Sequence, residues 1–335
     1  MNRLLPLLLA LLAALPLASF AAKTPPTPQV YYRIGSAADV APATAAGTVL
    51  MGGGTDVDAA FKWLCLRGGN GDFLVIRATG TDGYNRYVQR LCPSTNSVAT
   101  LIIDSTTAAN STFVQEKIGQ AEVLWIAGGD QSNYINFWKS TAVQRLLNDH
   151  VAAGKPIGGT SAGLAVLTEF VYSALGIAGV TSTEALANPF HEYITLDRDF
   201  VSIKDLQGVI GETHFSARDR MGRTLAFLCR LHTDYSQAMP RAIALNEATA
   251  LQISNGQAEV VGSSKSSNAY FIAAPGGAET CVANTPLTYQ DVAVRKVRPG
   301  GKFDVAGWSG TAGTAYTVTA EAGVLSSTQP GGMLY

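Results

Sequence analysis

The sequence predicts an α/β protein built on a mostly parallel sheet and carrying a β-rich C-terminal extension. Three observations point there. Apolar runs of strand length recur through the first half of the chain, and helical stretches alternate with them. The runs are short and rich in β-branched residues, the mark of parallel strands covered on both faces. Later in the chain strand signals predominate, and from about residue 285 they continue as an extension.

The first strands are expected at Val49-Leu50-Met51, Phe73 to Ile76, Val98 to Ile103, Val123 to Ala127 and Pro156-Ile157-Gly158. Helices are clearest over Val57 to Leu66 and Thr141 to Ala153, where Val143, Leu146, Leu147 and Val151 repeat at helical spacing. Ala242 to Leu245 reads as a further strand. Ala250 to Ser254 and Gln257 to Val261 flank Asn255-Gly256, a hairpin signal because both turn positions need positive φ. Tyr270 to Ile272, Val292 to Val297 and Tyr316 to Thr319 complete the strands. The expected division is a leader over 1–21, a lead-in over 22–46, a catalytic α/β domain over 47–284 and the extension over 285–335.

Composition removes several function classes. The 335 residues hold 24 Lys+Arg against 25 Asp+Glu, so there is no basic field for nucleic acid. Charged residues are only 15% of the chain, and the 34 glycines follow no collagen period. Asn2 and Arg3 precede a Leu/Ala run from Leu4 to Leu17, and Ser19-Phe20-Ala21 closes it. That is a cleavable export signal. Pro6, Pro16 and the proline-rich 23–28 argue against a stable membrane anchor, and the expected location is secreted or periplasmic.

Export makes disulfides possible. Cys65, Cys92, Cys229 and Cys281 allow three pairings; Cys65–Cys92 and Cys229–Cys281 keep each pair in one half of the chain. No C-x-x-C or H-x-x-H spacing supports a metal site, and no cofactor is expected. Gly52-Gly53-Gly54 misses the dinucleotide-loop spacing because Val57 stands where the last glycine would be, so it reads as a tight strand–helix turn.

One motif carries most of the chemistry. Gly159-Thr160-Ser161-Ala162-Gly163 follows a strand and precedes the helix-capable Leu164 to Leu167. This is G-x-S-x-G in the strand–turn–helix setting of a nucleophile elbow. The turn exposes the Ser161 hydroxyl and lets the Ala162 amide face a developing oxyanion. A base and an orienting acid must follow. His214, after the apolar Val209-Ile210, and Glu247, after the strand ending at Leu245, give the order Ser, His, Glu. The order of an α/β-hydrolase would instead use His232, with Asp199, Asp205 or Asp219 as acid. Arg220 and Arg223 stand three apart on an expected helix over Arg218 to Arg230, and their guanidinium forks suit substrate carboxylates. An ordinary salt-bridged helix would place them equally well. Glu212 would take a substrate guanidinium or a local partner.

These segments together resemble the cyanophycinase and peptidase E family. The resemblance rests on Gly128-Gly129-Asp130-Gln131, on Gly159 to Gly163, on His214-Phe215 followed by Arg218, Arg220 and Gly222-Arg223, and on Asn246-Glu247-Ala248-Thr249-Ala250, in the family's order. It implies a glutamine-amidotransferase-like three-layer α/β sandwich and a serine peptidase without metal. Its members cleave bonds next to aspartate, either releasing β-Asp-Arg dipeptides from cyanophycin or removing an N-terminal α-aspartate. It implies Ser161 as nucleophile, His214 as base, Glu247 as the triad acid, amides near Gly129 and Ala162 as oxyanion hole, and Gln131 as a substrate contact. The partner it implies is a peptide or cyanophycin-like polymer, and members are often homodimers. Two positions depart from cyanophycinases: Glu212-Thr213 replace Asp-Gln before the histidine, and no lysine follows Gly128 to Gln131 before Lys139. The same fold kept as a non-catalytic exported binding protein is the reading of a different class.

Overall fold

The computed structural model describes residues 30–335, so the leader read over 1–21 lies outside the described residues. The strands divide between two sheets. The first has nine strands, and its centre is parallel: Ser97–Ile102, Asp72–Arg77, Val123–Ile126, Ile157–Thr160 and Thr48–Met51 lie side by side. Every residue of Ser97–Ile102, Val123–Ile126, Ile157–Thr160 and Thr48–Met51 is buried, as two-sided cover requires.

The second sheet has eight strands. At one end Phe170–Tyr172, Val209–Glu212 and Arg241–Leu245 run parallel; Ala269–Ala273, Tyr289–Val297, Thr314–Glu321 and Val324–Ser327 then continue it antiparallel. The sequence pattern anticipates most of these strands but not their separation into a second sheet. The β-rich extension is continuous with both sheets. Lys302–Asp304 closes the edge of the first, and the other three late strands widen the second.

Packing follows from alternation. Val49, Met51, Val75 and Trp125 face the helix Asp58–Arg67. Their neighbours Leu50, Leu74, Ile76 and Leu124 face the opposite way, in a core shared with Val143 and Leu147 of the helix Ala142–Ala152 and with Ile243, Leu245 and Phe271 of the second sheet. The outer face of that sheet, through Ala242, Tyr270 and Val294, packs on the helix Met221–Tyr235. The result is a mixed α/β sandwich with a mostly parallel centre.

Local signals read from the sequence hold. The helix expected over Thr141 to Ala153 runs over Ala142–Ala152, and Asn255 and Gly256 take φ of 52° and 75° in the hairpin turn. The helix expected from Arg218 starts instead at Met221, because Asp219 has φ 47° and breaks the helical path.

Both disulfides expected from chain position are present, joining Cys65 to Cys92 and Cys229 to Cys281. No helix among the described residues is long and apolar enough to cross a membrane. The Cys65–Cys92 bridge closes a separation of 27 residues between two helical segments. Replacing both cysteines with alanine should lower the unfolding free energy in urea by about 3–4 kcal/mol from restored chain entropy. An unchanged urea midpoint would contradict this.

Candidate active site

Ser161 sits between the strand Ile157–Thr160 and the short helix Ala162–Ala165, with φ 51° and ψ −117°. A non-glycine residue there is strained by about 1–3 kcal/mol. Close packing fixes it. The Ser161 amide donates to the Met51 carbonyl at 3.0 Å. A Cβ on Gly163 would stand 2.0 Å from the Ile126 carbonyl oxygen, so only glycine lets the turn approach the neighbouring strand.

His214 and Glu247 come from the second sheet, just past the ends of Val209–Glu212 and Arg241–Leu245. The two strands are parallel neighbours, which brings their carboxyl ends together. Ser161 Oγ lies 2.9 Å from His214 Nε2, and His214 Nδ1 lies 2.6 Å from Glu247 Oε1. With Nδ1–H donated to Glu247, Nε2 is left to accept the serine proton. Burial lowers the His214 pKa below its ordinary 6.5; the charges of Arg218 and Arg220 act the same way, and Glu247 opposes them.

The Gly52-Gly53-Gly54 turn has a role that sequence spacing did not reveal. The Gly52 carbonyl accepts the His214 amide at 2.8 Å, and the Gly53 carbonyl accepts the Ala248 amide at 3.0 Å. A Cβ on Gly53 would fall 2.4 Å from His214 Cε1. The turn therefore cradles the imidazole and ties the first sheet to the second. The failed dinucleotide spacing was the available signal: a glycine run with no phosphate to bind has another neighbour to admit.

His232, the alternative base, lies in the last turn of Met221–Tyr235, where Nδ1 is 2.9 Å from the Gln237 carbonyl and Nε2 faces Gly277. It does not meet Ser161.

Gly129, Asp130, Gln131, Ser161, Thr213 and Arg218 line one cavity of about 290 Å³. Ala162 opens the short helix directly behind Ser161. The Gln131 side-chain amide donates to the Tyr172 carbonyl at 3.2 Å, which holds its head at the cavity wall. A larger cavity of about 690 Å³ between Phe271, Arg295, Phe303 and Trp308 shares no lining residue with this one.

Arg220 and Arg223 line the same cavity, but the role expected of Glu212 needs correction. Glu212 is 3% exposed and accepts from Arg223 Nε at 2.7 Å, Arg223 Nη2 at 2.6 Å and Arg220 Nη1 at 3.1 Å. Arg223 is itself buried, and its remaining donor reaches the Val180 carbonyl at 3.2 Å. Burial alone would raise the Glu212 pKa, but the two guanidinium charges outweigh it and hold the group below its ordinary 4.5. Glu212 is thus a buried internal counter-ion, unavailable to a substrate guanidinium; it engages the fork of Arg223 and one nitrogen, Nη1, of Arg220. Arg218 is different. It is exposed on the cavity wall, and no ion pair holds it among the described residues. In the sequence Arg218 stands out only as part of the segment that follows His214-Phe215. Lys139 does not reach this cavity; it pairs with Asp197.

The sequence model of peptidase family S51 matches residues 77–185, a span that includes Gly129, Gln131, Ser161 and Ala162. The chain is a serine-type peptidase. The match stops short of His214 and Glu247. No curated protein matches the sequence. Among solved structures, a peptidase from an acI-B1 actinobacterium is similar in fold, with TM-score 0.51 and 16% identity over 78% of this chain and 98% of that one. A peptidase E-like protein of Listeria monocytogenes EGD-e aligns with TM-score 0.43 and 15% identity over 65% of this chain and 99% of that one.

Removing the Glu212 carboxylate leaves two guanidinium groups without their buried partner. Glu212→Ala should therefore cost about 3–5 kcal/mol of stability. Thermal and urea unfolding check this; a loss below about 1 kcal/mol would mean an ordinary solvated pair.

Proposed function

We propose that Ser161, His214 and Glu247 form a catalytic triad, and that the enzyme hydrolyses small aspartyl or isoaspartyl peptides. The observation that carries this reading is the unbroken relay of 2.9 Å and 2.6 Å from the strained serine to the carboxylate. Ser161 Oγ attacks the scissile carbonyl as its proton passes to His214 Nε2. Glu247 keeps Nδ1 protonated and stabilises the imidazolium. The amides of Gly129 and Ala162 receive the oxyanion. His214 then protonates the leaving amine, and water resolves the acyl-enzyme by the same route in reverse.

The cavity wall supports the substrate class. Arg218 offers an unpaired guanidinium to a carboxylate, while the exposed Asp130 offers a carboxylate to an ammonium or guanidinium. A substrate carrying both charges close to the scissile bond, such as an aspartyl dipeptide, suits this pair. A volume of about 290 Å³ is near the lower end of ligand pockets, which commonly run from about 300 Å³ upward, and suits a small peptide unit. Cyanophycin, trimmed from its end to β-Asp-Arg, is the second reading, supported by the same charge pair. The leader-like residues 1–21 and the two disulfides support action outside the cytoplasm.

The test is hydrolysis of α-Asp dipeptides, β-Asp-Arg and insoluble cyanophycin side by side. Activity on dipeptides, falling by about 10³-fold or more in Ser161→Ala, is expected. Release of β-Asp-Arg from the polymer would favour the second reading, and full activity of Ser161→Ala would end the triad assignment.

The pH profile has a definite sign. His214 acts as a base only when neutral, and its pKa is lowered, so it stays neutral to a more acidic pH than a free imidazole. The acid limb of kcat/KM should have its midpoint below 6.5. A midpoint above 7, roughly half a unit past the unperturbed value, would contradict the burial argument.

A further inference from the structure

The segment from His214 to Met221 carries the candidate base, and its backbone is unusual at both ends. His214 has φ 44° and Asp219 has φ 47°, two non-glycine residues in the left-handed region. Such conformations persist only where neighbours over-determine them. At the first end the neighbours are the Gly52 and Leu245 carbonyls and the Asn246 side chain, which accept the amides of His214, Phe215 and Ser216. At the second end they are the Ser182 hydroxyl, which donates to the Asp219 carbonyl, the Ser216 and Phe215 carbonyls, which accept the Asp219 and Arg220 amides, and Tyr335.

Tyr335 makes four contacts to this segment and its support. Its hydroxyl accepts the Met221 amide at 2.9 Å and donates to Asp219 Oδ1 at 2.8 Å. Its ring meets Phe215 edge-on with centroids 5.2 Å apart, and Tyr270 with centroids 6.3 Å apart. Phe215 directly follows His214 and is fully buried. Tyr335 thus bridges both ends of the segment, clamping the residue next to the base and the turn into the helix Met221–Tyr235. The clamp is itself anchored, because the Tyr316 hydroxyl donates to the Leu334 carbonyl and the Gln329 side chain donates to the Met333 carbonyl. These anchors belong to the late strands and the segment after them.

We infer that Tyr335 is a positioning residue for His214, and that one role of the C-terminal strands is to deliver it there. The inference rests on the triad reading above. Tyr335 touches neither the cavity nor the reacting atoms; it acts by fixing where the imidazole stands relative to Ser161. Its effect therefore belongs in kcat and in the intrinsic reactivity of the serine, not in substrate affinity.

The experiment compares wild type, Tyr335→Phe, Tyr335→Ala and the exposed control Met333→Ala. Each is measured for kcat and KM on an aspartyl dipeptide and for the rate at which a small fluorophosphonate modifies Ser161. A misplacement near 1 Å is worth on the order of 10²-fold in rate, so Tyr335→Ala should lose about 30–100-fold in kcat with KM within about twofold. Tyr335→Phe keeps the ring and loses the two hydroxyl contacts, so it should fall about 3–10-fold, between the two. Serine labelling should slow in the same order, and Met333→Ala should match wild type. If Tyr335→Ala does not fold, Tyr335→Phe alone decides. Variants that label and turn over like wild type would overturn the inference. A wild type that labels but cleaves no aspartyl peptide would sink only the substrate proposal, and labelling rates would still decide this one. A wild type that does not label would remove the triad reading and this inference with it.

Discussion

Everything at the candidate site depends on how closely two backbones can approach beneath Ser161. The turn holds the serine at φ 51° because Gly163 lies against the Ile126 carbonyl, where a methyl group has no room. The same economy recurs across the sheets, where Gly53 leaves space for the His214 ring. A side chain at either point would push Ser161 or His214 away from the other. The local strain at Ser161, His214 and Asp219 is held by the buried layers of the sandwich rather than by any one bond.

Charge is organised by depth. The fully desolvated Glu212 engages Arg220 and Arg223, and that interaction fixes the start of the helix Met221–Tyr235 just behind His214. Along the cavity itself Arg218 and Asp130 are exposed, while Arg220 and Arg223 line it from below. The two kinds of arginine stand within six residues of each other, and only packing distinguishes them. Desolvation, together with the charges of the exposed Arg218 and the half-buried Arg220, lowers the proton affinity of His214, while Glu247 restores part of it. The imidazole of His214 thereby favours its neutral form while Glu247 holds its orientation.

Much of this was legible in the sequence. Elements with strong local chemistry were readable: the buried apolar strands, the helix after Thr141, the Asn255-Gly256 turn, and the strand–turn–helix around Ser161. Chain order was enough to nominate His214 and Glu247, and the structure brings both to Ser161. Non-local facts were not readable. Short apolar runs do not say which sheet they join, so Val209–Glu212 and Arg241–Leu245 could not be assigned to a second sheet. Helical spacing put Arg220 and Arg223 on one face but could not say that Glu212 would be buried between them and the sheet. The glycine run at 52–54 announced a close approach without naming the imidazole that approaches. Tyr335 lies more than a hundred residues from the segment it clamps, beyond any local pattern.

The central claim is that Ser161 is activated by His214 across the junction of the two sheets. The most direct measurement is fluorophosphonate modification of the protein, read by intact mass and peptide mapping, for wild type and His214→Ala. The account predicts a single adduct on Ser161, formed at least about 10³-fold more slowly without the imidazole. Modification of another residue, or equal rates in the two proteins, would contradict it.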